Sequence, residues 1–326
     1  MMYPIKFNTI LKEILWGGSE ICKFKQLPEQ RDGIGESWEI SQVKDNVSVV
    51  ENGEYKGLTL TDMIQRFGAD FLGKHVYERF GEKFPLLIKF IDARDNLSIQ
   101  VHPDDRLAAE RHNSFGKTEM WYVIAAQEGA GLYSGFSARI TPEEYVERVN
   151  DNTIMEVLQF HPVKSGDVFF LPAGRVHAIG KGIFIAEIQQ TSDITYRIYD
   201  YNRKDASGKG RELHTQLAKD AIDYKLYDDL KTAYTPQPNT PVDLVSCNYF
   251  VTNLLDLTAG IERPVSDKDS FVIYICMEGS AAVTDNNGNR IEVKQGETIL
   301  VPAAVASVSF EVKAGAKLLE CYIPCC

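Results

Sequence analysis

The stretch Lys164-Ser165-Gly166-Asp167-Val168-Phe169-Phe170-Leu171-Pro172-Ala173 returns in looser form 130 positions later, as Lys294-Gln295-Gly296-Glu297-Thr298-Ile299-Leu300-Val301-Pro302-Ala303. Each copy is a polar turn with a glycine, then a short apolar run closed by proline. Short apolar strands punctuated by Gly and Pro are the pattern of an antiparallel barrel or double-sheet roll. An earlier pair, Glu128-Gly129 and Glu278-Gly279, follows the apolar runs 120–126 and 271–277 at a spacing of 150. An insert in the first copy accounts for the 20-residue difference. There Thr141-Pro142-Glu143-Glu144 opens like a helix, with an N-cap, proline at the first helical position and acids in the first turn. The chain therefore reads as mainly β: two barrels, the first with helical insertions and the second degenerate.

Working outward, residues 35–41 and 46–50 read as strands, and residues 84–91 as a buried strand interrupted by Lys89. Helical insertions are expected at about 58–80, 141–160 and 212–226, the first from near-helical spacing of Leu60, Met63, Ile64, Phe67, Phe71 and Leu72. Thr235-Pro236-Gln237-Pro238-Asn239-Thr240-Pro241 is a proline-rich connector. It divides a first domain, 1–235, from a second, 236–326.

The bulk composition excludes several functions. The chain has 326 residues, 44% hydrophobic and 25% charged, with a net charge of −11. An acidic protein without a broad basic face is not expected to bind nucleic acid. No apolar run approaches the roughly 20 residues that span a bilayer. The N-terminus lacks the apolar stretch of a secretory signal. The six cysteines form no C-x-x-C pair, so they read as reduced thiols of a cytoplasmic protein. We have no physical account of the Cys325-Cys326 pair. The expected assembly is a monomer or weak homo-oligomer.

Metal-ligand residue types are gathered in the first copy. Gln100 and His102 lie two apart in strand-like sequence and so share a face. Glu119 and His177, from other strands, complete a mixed nitrogen and oxygen set that suits Zn²⁺ or another borderline divalent ion and can keep a position open. In the second copy Ser307 falls where His177 sits. Lys89 either snorkels to the surface or points into the pocket, and the ligand strand that follows favours the pocket. Lys117 lies two residues before Glu119, on the same face by strand period, though it also suits an ordinary loop. Arg197 is flanked by Tyr196, Tyr199 and Tyr201. Alternation would put Arg197, Tyr199 and Tyr201 on one face, and the guanidinium suits phosphate or oxyanion recognition as well as an ion pair with Asp193 or Asp200. Glu187 is an acid within an apolar run, suited to proton transfer or to pairing with a lysine. His75, His112, His161 and His214 read as surface or structural. Trp16, Trp38 and Trp121 suit core packing more than a pocket wall, and Asp104-Asp105 suits a turn or helix cap.

The segment Gly166-x5-Pro172-x-Gly174-x2-His177 resembles the second motif of the cupin superfamily, except that Lys181 stands where that family usually has asparagine. The first motif, normally H-x-H followed closely by Glu, is present as Gln100-x-His102 with Glu119 displaced. With these departures the chain resembles the type I mannose-6-phosphate isomerases in their short bacterial form. The stretches that carry the likeness are 35–39, 84–89, 97–105, 116–119, 171–177 and 193–201. It is strong over residues 1–215 and weak beyond. The resemblance implies one zinc held by Gln100, His102, Glu119 and His177, and an active-site arginine at Arg197. It also implies a phosphorylated hexose as substrate, with interconversion of mannose 6-phosphate and fructose 6-phosphate through a cis-enediol. Lys89, Lys117 and Glu187 are the further catalytic candidates; which of them, or a zinc-bound water, moves the proton stays open. A cupin oxygenase using iron and a non-catalytic sugar-binding cupin are the alternatives, and the glutamine argues against redox iron.

Overall fold

Three antiparallel sheets carry the architecture. The computed structural model describes residues 2–204 and 208–325, and Cys326 lies outside them. The first stretch of chain supplies β1 (Ile5–Lys6), β2 (Ile10–Gly18), β3 (Ile34–Ile40), β4 (Leu86–Ala93), β5 (Ile99–Val101), β6 (Glu119–Ala126), β7 (Gly131–Phe136), β8 (Leu158–Pro162), β9 (Val168–Leu171), β10 (His177–Ala178), β11 (Ile183–Gln190) and β12 (Tyr196–Tyr199). The second supplies β13 (Val242–Ser246), β14 (Val251–Leu257), β15 (Ile261–Pro264), β16 (Val272–Asp285), β17 (Arg290–Lys294), β18 (Thr298–Val301) and β19 (Ser307–Tyr322). One sheet has the order β2-β3-β4-β11-β6-β9, and a second has β12-β5-β10-β7-β8. The third is eight-stranded, β1-β18-β16-β19-β14-β13, with β15 on β19 and β17 on β16. The N-terminal strand β1 thus pairs with β18 of the second half, Ile5 opposite Leu300.

Two-residue alternation sorts the side chains of the first sheet. Phe90 of β4, Phe184, Ala186 and Ile188 of β11, and Met120 and Tyr122 of β6 enter one large core, which also holds Ile273, Ile275, Leu319 and Cys321 of the second half. The intervening residues, Ile91, Ile185, Trp121 and Val123, enter a smaller core on the other face. Polar residues also fall on that other face, and they build the site described below. Val272, Tyr274 and Cys276 alternate likewise into a core private to the second half.

The sequence repeat is a structural repeat. Gly166 N–H donates to Val123 O and Gly296 N–H to Cys276 O, both at 2.8 Å. Val123 N–H donates to Asp167 O, and Cys276 N–H to Glu297 O, both at 2.9 Å. Asp167 and Glu297 each accept from the backbone N–H of the lysine three residues earlier. These matches set Val123 against Cys276, a spacing of 153. The expected 150 spacing of the Glu-Gly pairs is three residues off: Glu128-Gly129 lies in a turn after β6, whereas Glu278-Gly279 lies within β16, between two register shifts against β19.

The helical insertions are shorter than expected. Residues 58–80 form three helices, α2 (Leu60–Phe67), α3 (Ala69–Leu72) and α4 (Lys74–Phe80), which follow α1 (Glu20–Phe24). Gly68 and Gly73, at φ 50° and 97°, break the helical run. After α5 (Asp105–His112), α6 (Pro142–Asn150) starts at the expected Thr141 with a full capping box to Glu144. It ends near Asn152, at φ 58°, and residues 158–160 of that predicted insert are already in β8. The third insertion keeps only α7 (Thr215–Ala221), because His214 pairs instead with Arg197. Residues 46–50 make only isolated bridges, Val50 to Phe7 and Val49 to Thr59. Asp104 caps α5, accepting from Leu107 N–H at 2.8 Å.

The two equivalent turns differ in their surroundings. A Cβ on Gly166 would meet only Tyr234 Oη at 3.4 Å, whereas on Gly296 it would meet the Lys25 Cα at 2.8 Å. Gly166→Ala should cost about 1–2 kcal/mol from its positive φ alone, and Gly296→Ala should cost more. Urea unfolding of both variants checks this; equal losses would show that the Lys25 segment yields freely.

Candidate metal centre and active site

Two rows of residues face each other across the first roll. On the six-stranded sheet, register places Trp38 opposite Lys89, Lys89 opposite Glu187, and Glu187 opposite Trp121. On the five-stranded sheet, Arg197 lies opposite Gln100, Gln100 opposite His177, and His177 opposite Ser134. Strand order and two-residue alternation therefore bring together residues that are up to about 160 positions apart in sequence. Between the rows lies a cavity of about 280 Å³, lined by residues including Lys89, Gln100, Lys117, Glu187 and Arg197.

His102, Glu119 and His177 are buried, and one ligand atom from each lies within 4.8 Å of the others. His102 Nδ1 lies 2.8 Å from Ile194 O, and His177 Nδ1 lies 2.8 Å from Arg175 O. A carbonyl can only accept, so each Nδ1 carries the proton and each Nε2 presents its lone pair to the centre. Burial holds the rings neutral: His177 is lowered to about 4 and His102 is lowered well below its ordinary value. Burial pushes the Glu119 carboxyl up to about 7 despite the ammonium of Lys117 beside it. His102 Nε2 and both Glu119 oxygens are buried without a hydrogen-bond partner among the described residues. Buried lone pairs left converging in this way fit a divalent cation. Gln100 Nε2 lies 3.3 Å from His177 Nε2, and a carboxamide can turn its oxygen to the same place. His102, Glu119 and His177 could hold a divalent cation with Gln100 beside them, and in the second half no comparable His/Cys/Asp/Glu cluster is found among the described residues.

Beside this group, Glu187 is 3% exposed and is held by three partners. Lys89 Nζ is 3.5 Å and Lys117 Nζ 4.0 Å from its Oε1, and Trp121 Nε1–H donates to its Oε2 at 2.9 Å. Burial alone would raise this carboxyl, but the two lysines and the indole carry it below its ordinary value. Burial would lower Lys117, yet Glu119 at 3.1 Å and Glu187 raise it. Lys89 points inward, 5.0 Å from the Trp38 ring centre. The inner wall is thus a set of buried charges of both signs, held in fixed positions.

Arg197 stands at the other end of the cavity. Its Nη1 donates to Glu212 O at 3.0 Å, and no carboxylate lies within 4 Å of it among the described residues. Asp200 is occupied by Arg203 and Arg211 instead, so neither ion pair considered from the sequence forms. The single-face alternation of Arg197, Tyr199 and Tyr201 is also broken. Register shifts between Arg197 and Tyr199, and Tyr201 adopts φ 56° beyond the strand. Trp16 and Trp38 line the cavity, while Trp121 is fully buried and serves Glu187. Of the other histidines, His112 Nε2 bonds Tyr196 Oη at 2.8 Å and His161 Nε2 bonds Ser134 O at 3.2 Å. Sequence reading missed Glu36 and Arg211, both of which line the cavity. A basic run, Lys209-Gly210-Arg211, in a chain of net charge −11 was the one available sign of the latter.

With this geometry in place, the likeness to known proteins can be read against it. A family model for the catalytic domain of type I phosphomannose isomerase matches residues 5–123, and one for the mannose-6-phosphate isomerase cupin domain matches residues 241–322. The chain is 35% identical to mannose-6-phosphate isomerase ManA of Bacillus subtilis, covering 94% of this chain and 96% of that one. It is 33% identical to mannose-6-phosphate isomerase of Streptococcus mutans, covering 95% and 96%. The crystal structure of the mannose 6-phosphate isomerase from Bacillus subtilis superposes with a TM-score of 0.86 at 32% identity, over 98% of this chain and 99% of that one. A phosphomannose isomerase variant from Salmonella typhimurium shares the fold, with a TM-score of 0.79 at 18% identity, over 99% and 100%.

Trp121→Phe keeps the ring against His177 but removes the hydrogen bond to Glu187. It should cost about 1–3 kcal/mol, the penalty for an unsatisfied buried acceptor next to a charge. Equilibrium unfolding of the variant checks this, and no loss would mean that the lysines alone satisfy Glu187.

Proposed function

This chain belongs to the type I phosphomannose isomerase family, and we propose that it interconverts mannose 6-phosphate and fructose 6-phosphate at the cavity of its first barrel. The observation that carries the reading is the convergence of His102 Nε2, Glu119 and His177 Nε2 beside Lys89, Lys117, Glu187 and Arg197. We propose Gln100, His102, Glu119 and His177 as holders of one Zn²⁺, which when bound would act as a Lewis acid toward the sugar oxygens.

Aldose–ketose exchange removes a proton from one of C1 and C2 and returns a proton to the other, through a cis-enediol. The chain's own residues meet three needs of that reaction. Glu187, kept ionised between Lys89 and Lys117, forms with them a group that can take a proton from carbon and give it back. Lys117 and Lys89 balance negative charge that develops on the sugar oxygens, in a site where burial strengthens such contacts. Arg197, held by the Glu212 carbonyl and free of carboxylate partners, faces the cavity as an anion-binding group. Trp16 and Trp38 supply apolar walls for the sugar. The free thiols Cys22, Cys247, Cys276, Cys321 and Cys325 fit a reducing compartment, and we place the protein in the cytosol.

A coupled assay with mannose 6-phosphate, run before and after chelation and again with added Zn²⁺, tests this reading. Turnover should vanish on chelation and return with the metal; no turnover by folded, zinc-loaded protein would overturn it. His102→Ala and His177→Ala should lose zinc and activity together. Arg197→Ala should keep its zinc and lose about 100-fold or more in kcat/KM, the scale of a lost charged contact to the substrate. Near-normal activity in that variant would remove Arg197 from the chemistry. Lys117→Ala should stay folded with a raised KM or lowered kcat.

A further inference from the structure

The charges lining the cavity do not balance evenly along it. At the inner wall, Lys89 and Lys117 each have a carboxylate within 4 Å. At the outer end, Arg197 and Arg211 line the cavity, and Arg211 shares the buried carboxylate of Asp200 with Arg203, which also has Asp95 at 3.9 Å. Asp193 also lines the cavity, exposed and with no cation within 4 Å among the described residues. Of the charged side chains that line this end of the cavity, two are cationic and one, Asp193, is anionic.

Two further observations place an anion there. Arg197 Nε is buried without a hydrogen-bond partner. Arg211 presents its Nε and Nη2 to Asp200, the first at 2.7 Å from Oδ2, which fixes the plane of its guanidinium at the cavity rim. The two arginines are also tied together by the backbone. His214 N–H donates to Arg197 O at 2.7 Å, and Arg197 N–H donates to His214 Nδ1 at 3.1 Å. With the bond from Arg197 Nη1 to Glu212 O, residues 212–214 are clasped onto Arg197, which brings the neighbouring Arg211 to the same cavity. Like charges held together this way are relieved by an anion placed between them, and the unpartnered Arg197 Nε–H, with the Arg211 N–H groups that Asp200 does not engage, can donate to phosphate oxygens.

We propose that Arg211 is a specificity-determining residue that, with Arg197, grips the phosphate of the substrate at the cavity rim. The assignment rests on the isomerase reading and adds to it which end of the cavity receives the phosphate. The sugar's reacting carbons then point inward, toward Glu187 and the His102–Glu119–His177 group. Asp200 is a positioning residue, acting through Arg211.

Zinc-loaded wild type, Arg211→Gln and Arg211→Lys are compared by steady-state kinetics with mannose 6-phosphate. Isothermal calorimetry with inorganic phosphate as the probe is run in parallel. Arg211→Gln should raise KM about tenfold or more with kcat within about threefold, and should weaken phosphate binding about as much, since each tenfold is a single charge-assisted contact. Arg211→Lys should recover part of both and serves in place of Arg211→Gln if that variant does not fold. Unchanged KM and phosphate affinity in the variants would overturn the proposal. So would a fall in kcat at constant KM, which would make Arg211 only a support for Arg197. If wild type turned over no mannose 6-phosphate, the isomerase reading would fall, while phosphate binding to wild type and Arg211→Gln would still decide the anion site.

Discussion

The structure around the site depends on keeping one carboxylate charged where little of it meets water. Glu187 sits in the middle of β11, whose eight residues are all buried. Moving an ionised carboxylate out of water costs several kcal/mol, and only close partners of opposite charge and good hydrogen bonds offset that. Lys89 comes from the strand on one side and Trp121 from the strand on the other, each opposite Glu187 in register. Lys117 arrives from the segment just before β6. The lysines are themselves buried and need Glu36, Glu119 and Glu187 in return. Removing any member leaves another charge stranded, so the sheet's register and its electrostatics specify each other.

The same register explains why the first sheet can do two jobs. Phe90, Met120, Tyr122, Phe184, Ala186 and Ile188 join the large core shared with the second half, while on the other face Trp121, Val123 and Ile185 fill the smaller core and Lys89, Ile91 and Glu187 line the cavity. A one-residue slip on any of these strands would put Lys89, Glu119 or Glu187 into the shared core and phenylalanine or methionine into the site. The helices between β3 and β4 pack into that shared core through Leu60, Met63, Ile64, Phe71, Leu72 and Val76. The face that carries the cavity is thus backed by apolar packing as well as held by its own ion pairs.

Much of this was legible in the sequence because the relevant signals are local. Gln100 and His102 share a face by strand period, Lys89 and Glu187 are charges inside apolar runs, and the Gly166 and Gly296 turns repeat a visible pattern. The capping box at Thr141 was equally readable. What escaped depends on pairing between distant segments. Arg211 follows an irregular stretch, and only its clasp onto Arg197 through His214 and Glu212 brings it to the cavity. Glu36 lies in an ordinary strand and becomes a site residue only through Lys89 on the neighbouring strand. The helix at 58–80 was overextended because apolar spacing carries across Gly68 and Gly73, whereas their backbone conformation does not. The pairing of β1 with β18 joins residues almost 300 positions apart, and no local pattern announces it.

The second half repeats the turn and strand of the first without its chemistry, and its interior shows how such a barrel settles without a metal. Glu320 is fully buried there, accepting from Arg263 Nη2 at 2.8 Å, Asn253 Nδ2 at 3.0 Å and Tyr274 Oη at 3.0 Å. One carboxylate with one arginine and two neutral donors is satisfied in itself. In the first barrel Glu119 has the ammonium of Lys117 nearby but no hydrogen-bond donor among the described residues, and both its oxygens are turned toward two lone pairs of imidazole. Side by side in one chain, the second-half glutamate has its donors, while the oxygens of the first-half glutamate are left open to a cation. That contrast makes the difference between the barrels a matter of donor supply around a buried glutamate rather than of fold.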